Sequence, residues 1–116
     1  MTTQSVVEAY LDGWRRKDSA DIEILLGETV SFKGPMLVTE GREAFMIAVN
    51  AVLPIIKDIV LHDVFVDGSH AVAIYDSICI DLIGVCRTAE LISVKNDLID
   101  SSEIFLDARP FETAMA

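Results

Sequence analysis

Glu90 is the residue at which chemistry is to be looked for first. In the β-prone run Val85–Val94 alternate residues share a face, and Glu90 falls with Cys86, Thr88, Ile92 and Val94, opposite Arg87, Ser93 and Lys95. A carboxylate on the more apolar face is costly unless it is paired or protonated, and desolvation raises its pKa. Such a group can act near neutral pH as an acid, a base or a neutral hydrogen-bond donor. Asp100 comes second. With a three-residue turn at Lys95–Asp97, Val94 sits opposite Leu98, and the face of Glu90 continues through Asp100, Ser102, Ile104 and Leu106. A turn one residue shorter brings in Ile99, Ser101, Glu103 and Phe105 instead. The first register makes an acidic pair able to share a proton.

Asp76 shares a face with Val72, Ile74, Ile78 and Ile80, where it is either a site residue or a subunit-interface residue paired with Arg87 of the next strand. His62, a lone histidine beside apolar neighbours, reads as structural. Cys79 and Cys86 lie inside apolar segments without metal-ligand spacing to either histidine, so buried free thiols are expected, and no metal or organic cofactor.

Four strands must position these residues: Ile59–Val66, Ala71–Ile80, Val85–Val94 and Leu98–Leu106, joined by short turns that suit antiparallel hairpins. Ahead of them, Thr3 or Ser5 can cap a first helix, with Glu8 as capping-box partner of Ser5, and Val7, Tyr10, Leu11 and Trp14 form its apolar face. A short second helix starts at Asp18-Ser19 and ends at Gly27. Thr29–Phe32 is a strand closed by Gly34-Pro35. A third helix runs from Arg42, with Phe45, Val49 and Leu53 inward, and stops near Pro54.

The chain has 116 residues, enough for one domain spanning 1–116. Its net charge of -10 repels phosphate backbones and anionic lipid surfaces, so neither nucleic acid nor membrane is expected as a partner. Arg15-Arg16-Lys17, the one basic cluster, suits a helix C-terminus. No signal sequence or membrane-length apolar run is visible, which points to the cytoplasm. With 52% apolar residues, and with Ala71–Ile80 and Val85–Val94 apolar on both faces, the sheet should cover helices on one side and a second copy on the other: a homodimer through the sheet face.

Together "AYLDGWRRKD", "VSFKGP", "TEGREAF" and the ending "SSEIFLDARPF" resemble, in order and over nearly the whole chain, the SnoaL-like group of the nuclear-transport-factor-2-like superfamily. The resemblance implies an α+β fold, with three N-terminal helices packed in the concavity of a strongly curved mixed or antiparallel sheet, a cone-shaped barrel. It implies a pocket for a small apolar ligand, lined here by Trp14, Phe32, Phe45, Val49, His62, Thr88 and Ser102. Tyr10 holds a place like that of the oxyanion-binding tyrosine of ketosteroid isomerases, and Glu90 stands where those enzymes have a protonated aspartic acid, a worked case of a neutral acid at neutral pH.

Two departures matter. The isomerase base should fall at Gly34, and neither Phe32 nor Lys33 supplies a carboxylate. Arg87 and Glu90 do not reproduce the Arg-x-Asp spacing of epoxide hydrolases of this fold. The expectation is therefore a small-molecule pocket with Tyr10, Glu90 and Asp100 as candidate acid–base residues, in a cofactor-free isomerase, cyclase or dehydratase. The alternative is a ligand-binding or assembly module without catalysis.

Overall fold

The computed structural model describes residues 1–115. Helix α1 (Thr3–Arg15) buries Val6, Val7, Tyr10 and Leu11, one face at spacings of three and four. Its cap is Thr2, whose hydroxyl accepts from the Ser5 N–H at 3.0 Å while the Ser5 hydroxyl accepts from the Thr2 N–H at 2.9 Å. Ser5 is thus the partner in the capping box, not the cap, and Glu8 has no part in it. Asp12 gathers Arg15 and Arg16 at the other end, and Arg16 reaches on to Asp21.

Helix α2 (Ser19–Glu23) is capped by the Asp18 carboxylate, which accepts from the Asp21 N–H. It packs so tightly on α1 that a Cβ on Gly13 would lie 2.9 Å from Ile22 Cγ1. Gly27 does not end this helix. It lies within β1 (Leu26–Lys33), where the Ile99 carbonyl would stand 3.2 Å from an added Cβ.

A turn at Gly34–Leu37 leads to the short strand β2 (Val38–Glu40), which sequence periodicity did not announce. Helix α3 (Arg42–Val52) buries Phe45, Met46 and Val49, then tightens into a 3-10 turn at Leu53–Ile55, where Pro54 removes a helical donor. Strands β3 (Ile56–Asp67), β4 (His70–Cys79), β5 (Val85–Lys95) and β6 (Leu98–Phe105) follow as expected, and a C-terminal helix α4 (Arg109–Met115) closes the described chain.

The sheet has the order β2-β1-β6-β5-β4-β3 and is antiparallel except where β1 runs parallel to β6. It ends in two free edges, β2 and β3, so the expected barrel is an open, curved sheet. Register shifts at Leu61/Asp63 in β3, at Ser93/Val94 between β5 and β6, and along β1 put extra residues on one side of the ladder. Such bulges bend and twist a sheet, and here they wrap it around α1 and α3.

The inner face of β4 alternates strictly, with Ala71, Ala73, Tyr75, Ser77 and Cys79 buried. The outer face carries Phe65, Val85, Leu91 and Phe105 in solvent, and Phe65 and Val85 are each more than 60% exposed.

Val49 is 2% exposed at the centre of the inner face of α3. Val49→Asp would bury a charge with no partner and is expected to cost about 3–5 kcal/mol. Urea unfolding of the variant measures this; a parent-like midpoint would show that α3 packs on another face.

Candidate functional site

Glu90 is 1% exposed, on the inner face of β5 at the centre of the sheet. Ala73 of β4 and Ile104 of β6 lie directly opposite it. The polar partners come from the two diagonals. Tyr75, opposite Thr88, donates its phenol proton to Glu90 Oε1 at 2.6 Å; Ser102, opposite Ile92, donates its hydroxyl to Oε2 at 2.5 Å. Ala73 is small enough to leave the carboxyl room between them. Tyr10 of α1 closes the group from above, its phenol interacting with Glu90 and with the indole of Trp14, whose ring meets the Tyr10 ring edge-on at 6.5 Å.

Burial is the largest influence on this carboxyl and raises its pKa above the ordinary glutamate value; the hydroxyl donors of Ser102, Tyr75 and Tyr10 favour the charged form and offset part of the rise. Tyr10 and Tyr75 are held well above 10, first by burial and then by the charge of Glu90. Both phenols therefore stay protonated, and Tyr75 donates to Glu90. The arrangement is a dry carboxyl among hydroxyls, able to hold a proton, release it, or donate it to an oxygen atom placed beside it.

Asp100 does not join this group. The β5–β6 turn has two residues, Asn96 and Asp97, both with positive φ (54° and 62°), so Val94 pairs with Ile99. One residue further a bulge absorbs Asp100, Ser93 pairs with Ser101 and Ile92 with Ser102. The two-residue turn puts Ile99 inward beside it; beyond the bulge the face expected from the three-residue turn returns and buries Ser102, but paired two residues away from that register. Asp100 is left exposed between them.

The other expected lining residues divide as well. Phe32 stacks edge-on against Phe45 at 5.5 Å, while Val49 and Thr88 are fully buried, so these side chains fill the concavity. His62 lies on the opposite side of the sheet. It follows Val60 on the face of Asp76, where its Nε2 is 2.9 Å from Asp76 Oδ2, and Arg87 Nε donates to Asp76 Oδ1 at 2.5 Å. Arg87 and then His62 lower the pKa of Asp76, which is an outer-face ion pair and no part of the inner site. Tyr75 is the residue that sequence reasoning missed. Its signal was the inward alternation with Ala71, Ala73 and Ser77, obscured by the more conspicuous Asp76 beside it.

A cleft of about 270 Å³ opens between the ends of β1 and β6, lined by Lys33, Gly34, Pro35, Glu103, Ile104 and Phe105 among others. Ile104 connects it to the site, being the cross-strand partner of Glu90. A larger groove of about 640 Å³ runs between α2, β2 and the start of α3, with Glu23, Glu28, Glu40 and Glu43 on its walls. Glu90 and its hydroxyl partners line neither the groove nor the cleft.

A raised pKa means that the folded protein keeps the Glu90 proton to higher pH than the unfolded chain does. Its contribution to stability is then fully present below the ordinary glutamate pKa and is lost as pH rises through the folded value. Glu90→Gln should flatten this decline relative to the parent in urea midpoints taken from acid to neutral pH. Tyr75→Phe should cost about 1–3 kcal/mol by leaving a carboxyl oxygen short of a donor. Parallel parent and Glu90→Gln profiles would mean that the carboxyl is not desolvated.

Comparison with known proteins follows from this geometry. The signature of the SnoaL-like domain matches residues 7–95. No curated protein matches the chain. Among solved structures, an NTF2-like protein of unknown function from Cytophaga hutchinsonii superposes with a TM-score of 0.84 at 24% identity, covering 97% of this chain and 96% of its own. An LEH-like epoxide hydrolase from M. tuberculosis gives 0.81 at 14% identity, covering 96% and 86%. A protein with a ketosteroid isomerase-like fold from Catenulispora acidiphila, solved in complex with trimethylamine, gives 0.72 at 15% identity, covering 86% and 83%. At these identities the likeness is one of fold. Among the described residues, no helix is long and apolar enough to cross a membrane.

Proposed function

The chain belongs to the SnoaL-like domain family, and from that premise we propose that it binds a small apolar molecule carrying an oxygen atom, which Glu90 and Tyr10 recognise. The observation that carries this reading is the adjacency of a buried carboxyl to an open cleft: Ile104, directly opposite Glu90 on the ladder, lines the cleft between β1 and β6, so that one side chain stands between the two. A ligand entering there displaces apolar side chains first and meets the hydroxyl-bound carboxyl next. Burying its apolar surface contributes roughly 25 cal/mol per Å², and the oxygen contact sets its orientation.

Binding is favoured over isomerisation. An enolising reaction needs a base beside the donor, yet the resemblance to ketosteroid isomerases puts that position at Gly34, and neither Phe32 nor Lys33 beside it is a carboxylate. Glu103, on the cleft rim, stands 4.0 Å from Lys33 and points to solvent chemistry rather than to Glu90. Tyr10 and Glu90 remain the residues for proton exchange with a bound oxygen, and Asp100, exposed behind the bulge, is set aside.

The test is an NMR titration of the amides with 4-methylphenol, an apolar ring with one hydroxyl. Shifts should concentrate at Gly34, Ile104, Phe105 and Glu90, and Ile104→Trp, which fills the cleft, should abolish them. Shifts confined to the groove beside α3, or none at millimolar ligand, would overturn the reading.

The outer face supports a second, separate reading, a homodimer through the sheet. Phe65, Val85, Leu91 and Phe105 lie exposed there around the partly buried Asp76–Arg87 pair, and a two-fold contact is the commonest means of covering such a surface. The buried free thiols Cys79 and Cys86 suit a reducing cytoplasm. Light scattering at micromolar concentration should give twice the chain mass, and Leu91→Glu should return a folded monomer. A monomeric parent would contradict the dimer and leave the ligand site untouched.

A further inference from the structure

The β4–β5 hairpin carries, at the end away from β6 and its turn, two thiols that the site around Glu90 does not use. Cys79 ends β4 and Cys86 is the second residue of β5. Ser77 pairs with Cys86, and the Cys79 N–H donates to the Gly84 carbonyl at 2.9 Å, so the two cysteines are diagonal neighbours on the inner face. The register puts both thiols on one face of the hairpin end, where Cys79 Sγ donates to the Ser77 carbonyl at 3.7 Å. Both are buried, at 3% and 6% exposure.

A short loop forms part of their cover. The connecting loop, Ile80–Gly84, is held by the Ile83 and Gly84 N–H groups on the Ile80 carbonyl and by the Ile80 N–H on the Ile55 carbonyl. Only Ile83 of the loop turns inward, while Asp81 and Leu82 stand in solvent. A disulfide needs its Cβ atoms about 3.5–4.5 Å apart. Diagonal neighbours of a ladder stand further apart than that, so closing the bridge takes a backbone shift, and it falls at the end of the hairpin.

We infer that Cys79 and Cys86 form an oxidative modification site, joined as a cross-strand disulfide when a hydroperoxide removes two electrons. In the first step the Cys86 sulfur attacks the peroxide, the O–O bond breaks, and a sulfenic acid and one water result. In the second, Cys79 sulfur attacks the sulfenic sulfur, the S–O bond breaks, and the departing hydroxide takes the Cys79 proton as a second water. Two thiols and one hydrogen peroxide thus become one disulfide and two waters. Cys86 is the better first nucleophile. Burial raises both thiols, and the charge of Asp107 adds to the rise at Cys86 while Cys79 offsets part of it; Cys79 itself is pushed up to about 11. The reaction is therefore slow at neutral pH and accelerates as the solution becomes more alkaline.

The consequence reaches along the same face. Cys86, Thr88 and Glu90 alternate on β5 as Cys79, Ser77 and Tyr75 do on β4. A disulfide would pin together the two strands that hold the Tyr75–Glu90 hydrogen bond. This inference stands independently of any ligand.

The test treats the full chain with hydrogen peroxide in slight molar excess at mildly alkaline pH, followed by alkylation in denaturant and mass spectrometry. The expected product is a monomeric chain lighter by two hydrogens and refractory to alkylation. Cleavage at Asp81, which lies between the cysteines, should leave fragments that separate only on reduction. Recovery of two alkylated cysteines, oxidation to sulfinic or sulfonic acids without linkage, or a disulfide between two chains would each overturn the inference.

Discussion

The inner sheet is organised around keeping one carboxyl out of water. A buried glutamate without partners would be among the most costly groups a small domain could contain, and Glu90 is tolerated because each neighbouring strand lends a hydroxyl from its diagonal position. Tyr75 can do so only if β4 holds its strict alternation, and Ser102 only if β6 is in register at that point. Tyr10 must approach from α1, whose closeness to α2 depends in turn on Gly13 having no side chain. The polar group and the apolar packing around it specify each other.

The last hairpin shows why sequence alone could not settle the site. Periodicity along β6 allowed two registers that bury opposite sets of side chains. Both faces turn inward in the molecule, one on each side of the bulge at Asp100. A bulge of this kind has no compositional mark, because the extra residue needs only a tolerable backbone and access to solvent. Glu90 could be read correctly because Cys86, Thr88 and Ile92 define its face without reference to any other strand. Asp100 could not, since its orientation depends on pairing across a ladder. The same holds for His62, which the pairing of β3 with β4 places on the outer face beside Asp76.

The helices and the four long strands were legible because their patterns are local: capping residues, spacings of three and four, and strict alternation. The short strand β2 and the helix α4 were not, since neither has enough residues to show a period. Tyr75 was hidden for another reason. On a strand with apolar residues on both faces, a carboxylate draws attention before a phenol does, yet Asp76 has found Arg87 and His62 on the outer face while Tyr75 completes the inner site. The two faces of β4 therefore divide the molecule's polar groups into an ion-paired set outside and a hydroxyl-bound set inside.

The central claim is that the Glu90 carboxyl is dry, and its own ionisation reports this directly. Carbon-13 NMR of the side-chain carboxyl, followed from acid to alkaline pH, resolves its titration from that of the surface carboxylates, with Glu90→Gln assigning the signal. A midpoint clearly above that of an unperturbed glutamate, which lies at about 4.3, is the predicted result, because burial outweighs the hydroxyl donors. A midpoint at or below that value would contradict the account and mean that water or a cation reaches the carboxyl.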